Sequence, residues 1–116
     1  MNLPLSVRLR VALQQWQRRR LRKKYGDLLD EIAAIFFRHD PVGVKFEDNA
    51  NEYEPEVGTV LPRLKECRSP SDVRRVLHQE FSRWFTPDVA GPEDRYDSAA
   101  TDVWHAWQRH QRRQDA

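Results

Sequence analysis

Residues 69–85, SPSDVRRVLHQEFSRWF, carry the strongest amphipathic pattern in the chain. Ser69 can serve as the N-cap, Pro70 suits the first helical position, and Asp72 takes the acidic position of a capping box. Apolar residues then recur at i, i+3, i+4, i+8, i+11 and i+12, the spacing of one helical face, namely Val73, Val76, Leu77, Phe81, Trp84 and Phe85. We predict that this helix forms the centre of the core.

Two helices are predicted before it. The first follows Pro4 and Ser6 and reaches about Lys24, and only its first part offers an apolar side that can be buried, formed by Leu5, Leu9, Ala12, Leu13 and Trp16. Residues 25–27 (Tyr-Gly-Asp) predict a helix end, a left-handed cap at Gly26 and a new N-cap. The second helix covers residues 28 to about 38, and its buried side is formed by Leu28, Leu29, Ile32, Ile35 and Phe36.

Two more helices flank the central one. Pro55 suits the first position of a helix that buries Val57, Val60, Leu61 and Leu64. Pro62 lies inside this helix and should kink or shorten it, because it removes a hydrogen bond. The last helix begins at about Glu93 and presents one apolar face, formed by Tyr96, Ala99, Ala100, Val103, Trp104 and Trp107. We expect the polar tail, residues 108–116, to fray.

The segment after the second helix lacks a regular pattern. Pro41 cannot continue a helix and favours an extended conformation at Asp40, so the helix should end there. The elements together predict an all-α fold, a compact bundle of four to five helices with one long ordered acidic loop between the second and third helices. A short β-hairpin around Val44 and Phe46 is the alternative within that loop.

Composition is typical of a single small globular domain. The chain has 116 residues, of which 39% are hydrophobic and 33% charged, and its mean hydropathy is −0.87. Twelve aromatic residues distinguish it from disordered chains. No apolar run reaches membrane-spanning length, and the single cysteine, Cys67, is typical of a reducing compartment. We therefore expect a cytoplasmic protein.

The net charge of +2 hides two regions of opposite sign. Residues 1–25 contain eight basic residues and no acidic one, whereas residues 26–116 carry a net charge of −6. This division predicts a basic amphipathic N-terminal helix or arm, 1–25, and a single acidic helical domain, 26–116.

Most of the basic charge lies in one run, and its members are candidates for anion binding: Arg18, Arg19, Arg20, Arg22, Lys23 and Lys24. The run can simply end a soluble helix, where cations suit the dipole. It can also bind nucleic-acid phosphates, rest on an anionic membrane with Trp16 and Leu9 inserted, or cover the acidic body of its own chain. The sequence lacks the zinc-finger, RNP and leucine-zipper patterns of sequence-specific recognition.

The acidic charge is concentrated in residues 40–56, which carry five net negative charges. A solvated loop, a surface for a basic protein partner and a cation site are three interpretations of it. The EF-hand order of ligands is absent, so we predict no metal and no cofactor. On the partner interpretation Tyr53 is the anchor, and the binding rim consists of Asp40, Glu47, Asp48, Glu52, Glu54 and Glu56.

No catalytic pattern is recognisable. The histidines His39, His78, His105 and His110 lack the spacing of a zinc site, so a catalytic or metal role would require partners brought together by the fold. Cys67 has no evident base near it in sequence. We therefore predict that the protein is not an enzyme.

The stretches HDPVGVKFEDNANEYEPEVGTVLPRL, 39–64, and VRRVLHQEFSRWF, 73–85, resemble small bacterial helical proteins that share a DP-x-G, EY-x-PE and LP-x-L core. Some of these proteins act as immunity proteins of contact-dependent growth-inhibition or related toxin systems. The resemblance covers residues 28–107 and implies toxin neutralisation. It has no catalytic motif.

These observations favour a non-catalytic protein-binding module, an immunity or antitoxin-like protein whose acidic loop binds a basic partner such as a nuclease toxin. The first alternative is binding of nucleic acid or an anionic membrane surface by the basic N-terminal helix. The second is a structural subunit of a larger assembly that self-associates through Leu9, Leu13 and Trp16.

Overall fold

The computed structural model describes residues 5–43 and 53–115. Its α-helices are α1 (Leu5–Tyr25), α2 (Asp27–His39), α3 (Glu54–Val60), α4 (Pro70–Trp84), α5 (Pro87–Ala90) and α6 (Asp97–Asp115). Two 3₁₀ helices, Leu61–Glu66 and Glu93–Tyr96, precede α4 and α6. No strand occurs in these residues, and the predicted all-α bundle is confirmed. The predicted ordered loop and the alternative hairpin at Val44 and Phe46 fall on residues 44–52, outside this description.

Helix α4 is the central element, because α3, α5, α6 and both 3₁₀ helices pack against it. Phe81 is fully buried, and its ring centroid lies 5.3 Å from that of Phe36, 5.7 Å from Tyr53 and 5.4 Å from Tyr96. These rings come from α2, the start of α3 and the end of the second 3₁₀ helix. One aromatic side chain of α4 therefore joins three other parts of the chain.

The start of α4 is confirmed by its cap. Ser69 Oγ accepts a hydrogen bond from the N–H of Asp72 at 3.2 Å, and Asp72 Oδ2 accepts one from the N–H of Arg68 at 2.9 Å. The first bond satisfies a backbone donor that the first helical turn leaves open, and the second holds the residue before the cap against the helix. The local sequence signal thus fixes the first turn of the central helix.

The predicted buried face of α4 is wrong at one end. Val73, Val76, Leu77 and Phe81 are buried as predicted. Trp84, however, is 46% exposed, while Glu80, which the pattern did not include, is 2% exposed. Glu80 lies one turn from both Val76 and Leu77, so it shares their face, whereas Trp84 occupies the last turn at the edge of the core.

The turn between α1 and α2 is sharper than predicted. Gly26 has φ +59° and ψ −132°, outside the left-handed helical region, and it occupies the N-cap position predicted for Asp27. Asp27 is already helical. The N–H of Gly26 donates to the carbonyl of Arg22 at 2.7 Å, so the turn follows α1 directly. The buried face of α2 is confirmed and also includes Ala33.

The end of α2 differs from the prediction at Asp40. This residue adopts the left-handed conformation, with φ 46° and ψ 57°, instead of an extended one. Its N–H donates to the carbonyl of Phe36 at 2.8 Å, so the helical hydrogen bonding continues to the cap residue. Aspartate tolerates this region better than most residues do, which makes it a workable cap where glycine is absent.

Pro62 ends the α-helical geometry of α3, as predicted. The helix gives way to the 3₁₀ helix at Leu61, where the missing N–H of a proline in the first turn leaves no donor unpaired. The apolar side continues across the change and buries Val57, Val60, Leu61 and Leu64.

The C-terminal end of α6 is helical through Asp115, so the predicted fraying from Gln108 onward is wrong. His110 is buried, with its ring centroid 5.7 Å from that of Trp107 and 6.3 Å from that of Tyr25. Arg109 forms an ion pair with Glu31 of α2. These contacts with α1 and α2 hold the polar end of α6 on the body.

Among the described side chains of α1, those that pack against the body lie at its C-terminal end. Tyr25 is buried and Leu21 packs against the core. The apolar side that the first part of α1 offers is not buried within this chain at Leu9, Leu13 and Trp16, which are 56%, 59% and 48% exposed. At these three positions the apolar side of α1 therefore faces solvent.

We predict that Phe81→Ala lowers the free energy of unfolding by about 3–5 kcal/mol, because it empties the contact point of four rings. Trp84→Ala is the matched control on the same helix and should cost less than about 1.5 kcal/mol, since Trp84 is half exposed. Denaturant unfolding measures both values. Equal losses would contradict the central position of Phe81.

Candidate functional site

An open groove of about 1150 Å³ separates α1 from α3 and the end of α4. We call it the α1 groove and define it by Trp16, Arg20, Lys23 and Lys24 on one wall and Trp84 on the other. This volume exceeds the roughly 300–1,000 Å³ of most small-molecule sites. The groove therefore suits part of a macromolecule better than a small ligand.

The floor of the α1 groove depends on a close approach of two helices. Leu21 and Leu29 line it together with Gly58 of α3. A methyl group at Gly58 would lie 3.4 Å from Cδ1 of Leu21, an ordinary van der Waals contact, so α1 and α3 lie close together here.

Two tryptophan side chains face the groove from different helices. Trp16 is 48% exposed and Trp84 is 46% exposed. Nε1 of Trp84 donates to Oγ1 of Thr59 at 3.0 Å, and Thr59 is bonded in turn to the carbonyl of Glu56. The Trp84 ring is therefore held at its polar edge while about half of it stays accessible.

Four of the six predicted anion-binding residues line the groove: Arg18, Arg20, Lys23 and Lys24. The guanidinium carbon of Arg20 lies 4.7 Å from the ring centre of Trp16, and the ammonium of Lys24 lies 5.5 Å from that of Tyr25. Cation and aromatic ring are thus paired along α1. No acidic residue is among the described residues that line the groove.

The other two residues of the basic run lie outside the groove lining. Arg19 is exposed on α1. Arg22 forms two hydrogen bonds of 2.8 Å with the carboxylate of Asp30 on α2. The Arg22 hydrogen bond lowers the pKa of Asp30, while partial burial opposes this shift. Arg22 therefore anchors α1 to α2.

The predicted anchor of the acidic rim is buried, contrary to the prediction. Tyr53 is fully buried between Phe36 and Phe81, and its hydroxyl donates to Oδ1 of Asp40 at 2.6 Å. It is a core residue and not an exposed anchor, because α2 and α4 enclose the start of α3. Glu54 is the first residue of α3. Glu47, Asp48 and Glu52 lie outside the described residues.

Glu56, the last member of that rim, is buried in the interior. It is 4% exposed, and its Oε2 has no hydrogen-bond partner among the described residues. Burial raises the pKa of Glu56 to about 7, although a hydrogen bond to its own backbone acts in the opposite direction. Its charged form therefore destabilises the fold.

Sequence reasoning missed a buried ion pair. Nη1 of Arg63 lies 2.9 Å from Oε2 of Glu80, and Arg63 also donates to Gln79 at 2.7 Å. Arg83 reaches the same Glu80 oxygen at 3.4 Å. The pair joins the 3₁₀ helix to α4 across 17 positions of sequence. No local pattern signals it, apart from an acid on the apolar face of α4.

The sequence left a catalytic or metal role of the histidines undecided, and in the structure most of them form contacts between different parts of the fold. Nε2 of His39 lies 2.7 Å from Oδ2 of Asp102, which also accepts from Arg38 at 3.0 Å. These contacts hold α2 against α6, and the His39 hydrogen bond is the largest cause that lowers the pKa of Asp102. His78 bonds the carbonyl of Gly91 at 2.9 Å.

His110 and His105 differ in burial. His110 is enclosed, and burial lowers its pKa, with a smaller contribution from Arg113 in the same direction. His105 is exposed on α6. Within residues 5–43 and 53–115, no group of three or more His, Cys, Asp or Glu side chains is arranged to hold a metal ion.

Comparison with known proteins yields no relative: no family model matches the chain, and neither the curated proteins nor the solved structures contain a match. Among the described residues, none of the helices combines the length and apolar character needed to cross a membrane.

We predict that Glu56→Gln raises the free energy of unfolding at about pH 8 by roughly 1–3 kcal/mol and has little effect near pH 4. The pKa of Glu56 rises on folding from 4.5 to about 7, so its destabilisation is absent below the lower value and complete above the higher one. Denaturant unfolding across this pH range measures it.

The matched control for this variant is Glu66→Gln, because the side chain of Glu66 is 61% exposed and its ion pair with Arg63 lies at the surface. It should shift stability by less than about 0.5 kcal/mol at every pH. A Glu56 variant that loses stability at high pH would show that the buried carboxylate has a compensating partner.

Proposed function

We propose that the protein is a non-catalytic binding module and that the α1 groove binds an anionic macromolecule. One observation carries this proposal: two half-exposed tryptophans and four cations line the same open groove. Its lining provides positive charge, aromatic surface and aliphatic surface, which are the means of binding an extended anion.

The charges of the groove support an anionic partner in particular. Residues 1–25 carry eight basic residues without an acid, and the α1 wall of the groove is built from the basic end of that segment. Like charges concentrated beside low-dielectric apolar walls raise the local potential and attract counterions. A polyanion that displaces those counterions would bind with a strong dependence on salt.

We predict that Lys23→Gln with Lys24→Gln weakens binding of a sulfated oligosaccharide by roughly ten-fold or more at low salt. The same pair should reduce the slope of log affinity against log salt, because fewer counterions are released. Fluorescence anisotropy with a labelled oligosaccharide, used as a charge-only probe, measures both quantities.

The matched control is Arg68→Gln with Arg75→Gln, which removes the same charge from exposed positions at the start of α4. Arg75 lies about 14 Å along the helix from Trp84. This control should bind the probe with nearly the affinity of the unchanged protein. Equal weakening by both pairs would show that net charge, and not the groove, attracts the polyanion.

A second candidate function is neutralisation of a basic protein by the acidic segment, as the resemblance to immunity proteins implies. The Tyr53 hydroxyl lies 2.6 Å from Asp40, so the two ends of the segment between them are held together on the body. A short acidic segment with joined ends is a suitable surface for a basic nuclease toxin. Because Tyr53 and Glu56 are buried, the residues proposed for contact are Glu47, Asp48, Glu52 and Glu54.

We predict that Glu47→Gln, Asp48→Asn and Glu52→Gln together abolish retention of a basic partner protein from nuclease-treated host lysate. The free energy of unfolding should change by less than about 1 kcal/mol. Asp88→Asn with Asp94→Asn, at exposed positions elsewhere, is the control that should retain the partner. Retention by the triple variant would eliminate the acidic segment as the binding surface.

Two other expectations stay predictions. A structural subunit would self-associate through Leu9, Leu13 and Trp16, and all three are exposed on α1. A cytoplasmic location, expected from the single cysteine and the lack of a long apolar run, is compatible with each of these functions.

A further inference from the structure

We infer that the anionic occupant of the α1 groove is single-stranded nucleic acid, whose bases stack on Trp16 and Trp84 while its phosphates contact Arg20, Lys23 and Lys24. This inference rests on the proposed function of the groove and names its ligand class. It gives Trp84 a role as a stacking surface, although Trp84 lies on a different helix from the basic run.

Trp16 and Trp84 are more exposed than the other two tryptophans of the chain. Trp107 is 8% exposed and belongs to the core, whereas Trp16 and Trp84 are each about half exposed in one groove. Leaving two large apolar rings in water costs free energy that packing would recover. A ligand that covers both rings recovers the same free energy on binding.

Cations and aromatic surface are interleaved along α1. Trp16, Arg20, Lys23 and Lys24 follow the spacing i, i+4, i+7 and i+8, so they share one helical face over about 12 Å. Arg20 already stacks over Trp16 at 4.7 Å. Guanidinium and indole planes both stack on nucleobases, so this pair offers base contacts beside a phosphate-binding charge.

The opposite wall provides the second stacking surface in a fixed orientation. Trp84 is held through Nε1 by Thr59 at 3.0 Å, so its polar edge is satisfied without the ligand. The exposed part of its ring can then contact a base without losing that hydrogen bond. Stacking depends on the flat face of the base, so it tolerates any nucleotide sequence.

Other anions use only part of this groove. The bases of a duplex are stacked on each other and are inaccessible to Trp16 and Trp84, so a duplex would bind through its phosphates alone. An acidic peptide supplies carboxylates but no series of flat rings. An anionic membrane would contact the exposed Leu9, Leu13 and Trp16 of α1, but it would leave Trp84 uncovered, because Trp84 lines a recess across from α1.

The test compares a labelled single-stranded oligonucleotide of about twelve nucleotides with a duplex of equal length, using the complete chain. We expect the single strand to bind at least roughly ten-fold more tightly and to quench tryptophan fluorescence. Trp16→Ala and Trp84→Ala should each weaken single-strand binding by roughly five- to one-hundred-fold, the range for losing one stacked base. Phenylalanine at either position should restore most of the affinity.

Trp104→Ala is the matched control, because Trp104 is a partly buried tryptophan on α6 outside the groove lining. It should leave single-strand affinity unchanged at temperatures where the variant is folded. Vesicles containing anionic lipid form a further arm, and we expect them to bind more weakly than the single strand.

The outcomes separate this inference from the function it rests on. Equal affinity for single strand and duplex, unaffected by Trp16→Ala and Trp84→Ala, would overturn the inference and leave an anion-binding groove in place. Binding to vesicles alone would overturn it in favour of a membrane surface. Failure of every anion, including the sulfated oligosaccharide, would overturn both proposals.

Discussion

The fold depends on the packing of aromatic rings around Phe81. Helices of a chain this short bury a limited apolar area, so a few large side chains must supply much of the stabilisation. Phe81 contacts rings from α2, from the start of α3 and from the end of the second 3₁₀ helix. Tyr53, at the start of α3, also donates its hydroxyl to Asp40. A residue of the core therefore holds the two ends of the acidic segment together.

Local signals predicted the elements that depend on neighbouring residues. Ser69 and Asp72 cap α4 where the sequence places the cap, and Pro62 ends the α-helical geometry of α3 because it lacks an N–H whatever surrounds it. The end of α6 was predicted wrongly because its polar residues look solvated in sequence. In the fold, Tyr25 covers His110, and Glu31 pairs with Arg109, so distant residues decide the outcome.

Only part of the candidate site could be predicted from the sequence. The basic run is contiguous, so its charge could be recognised directly, but Trp84 lies about sixty positions away and shares the spacing of the core face. Its exposure follows from where α4 ends relative to α1 and α3, which no periodicity encodes. The prediction for Tyr53 failed in the opposite direction. Its position among acidic residues indicated an exposed anchor, but α2 and α4 enclose it in the fold.

The hydrogen bond between Asp40 and Tyr53 also affects how this chain can diverge. Asp40 caps the end of α2 and Tyr53 caps the start of α3, so the hydrogen bond between them holds the two ends of the intervening segment together. Each doubling of the length of such a closed loop costs only about 0.6 kcal/mol of chain entropy. Insertions between Asp40 and Tyr53 should therefore change the stability of the helical body by little.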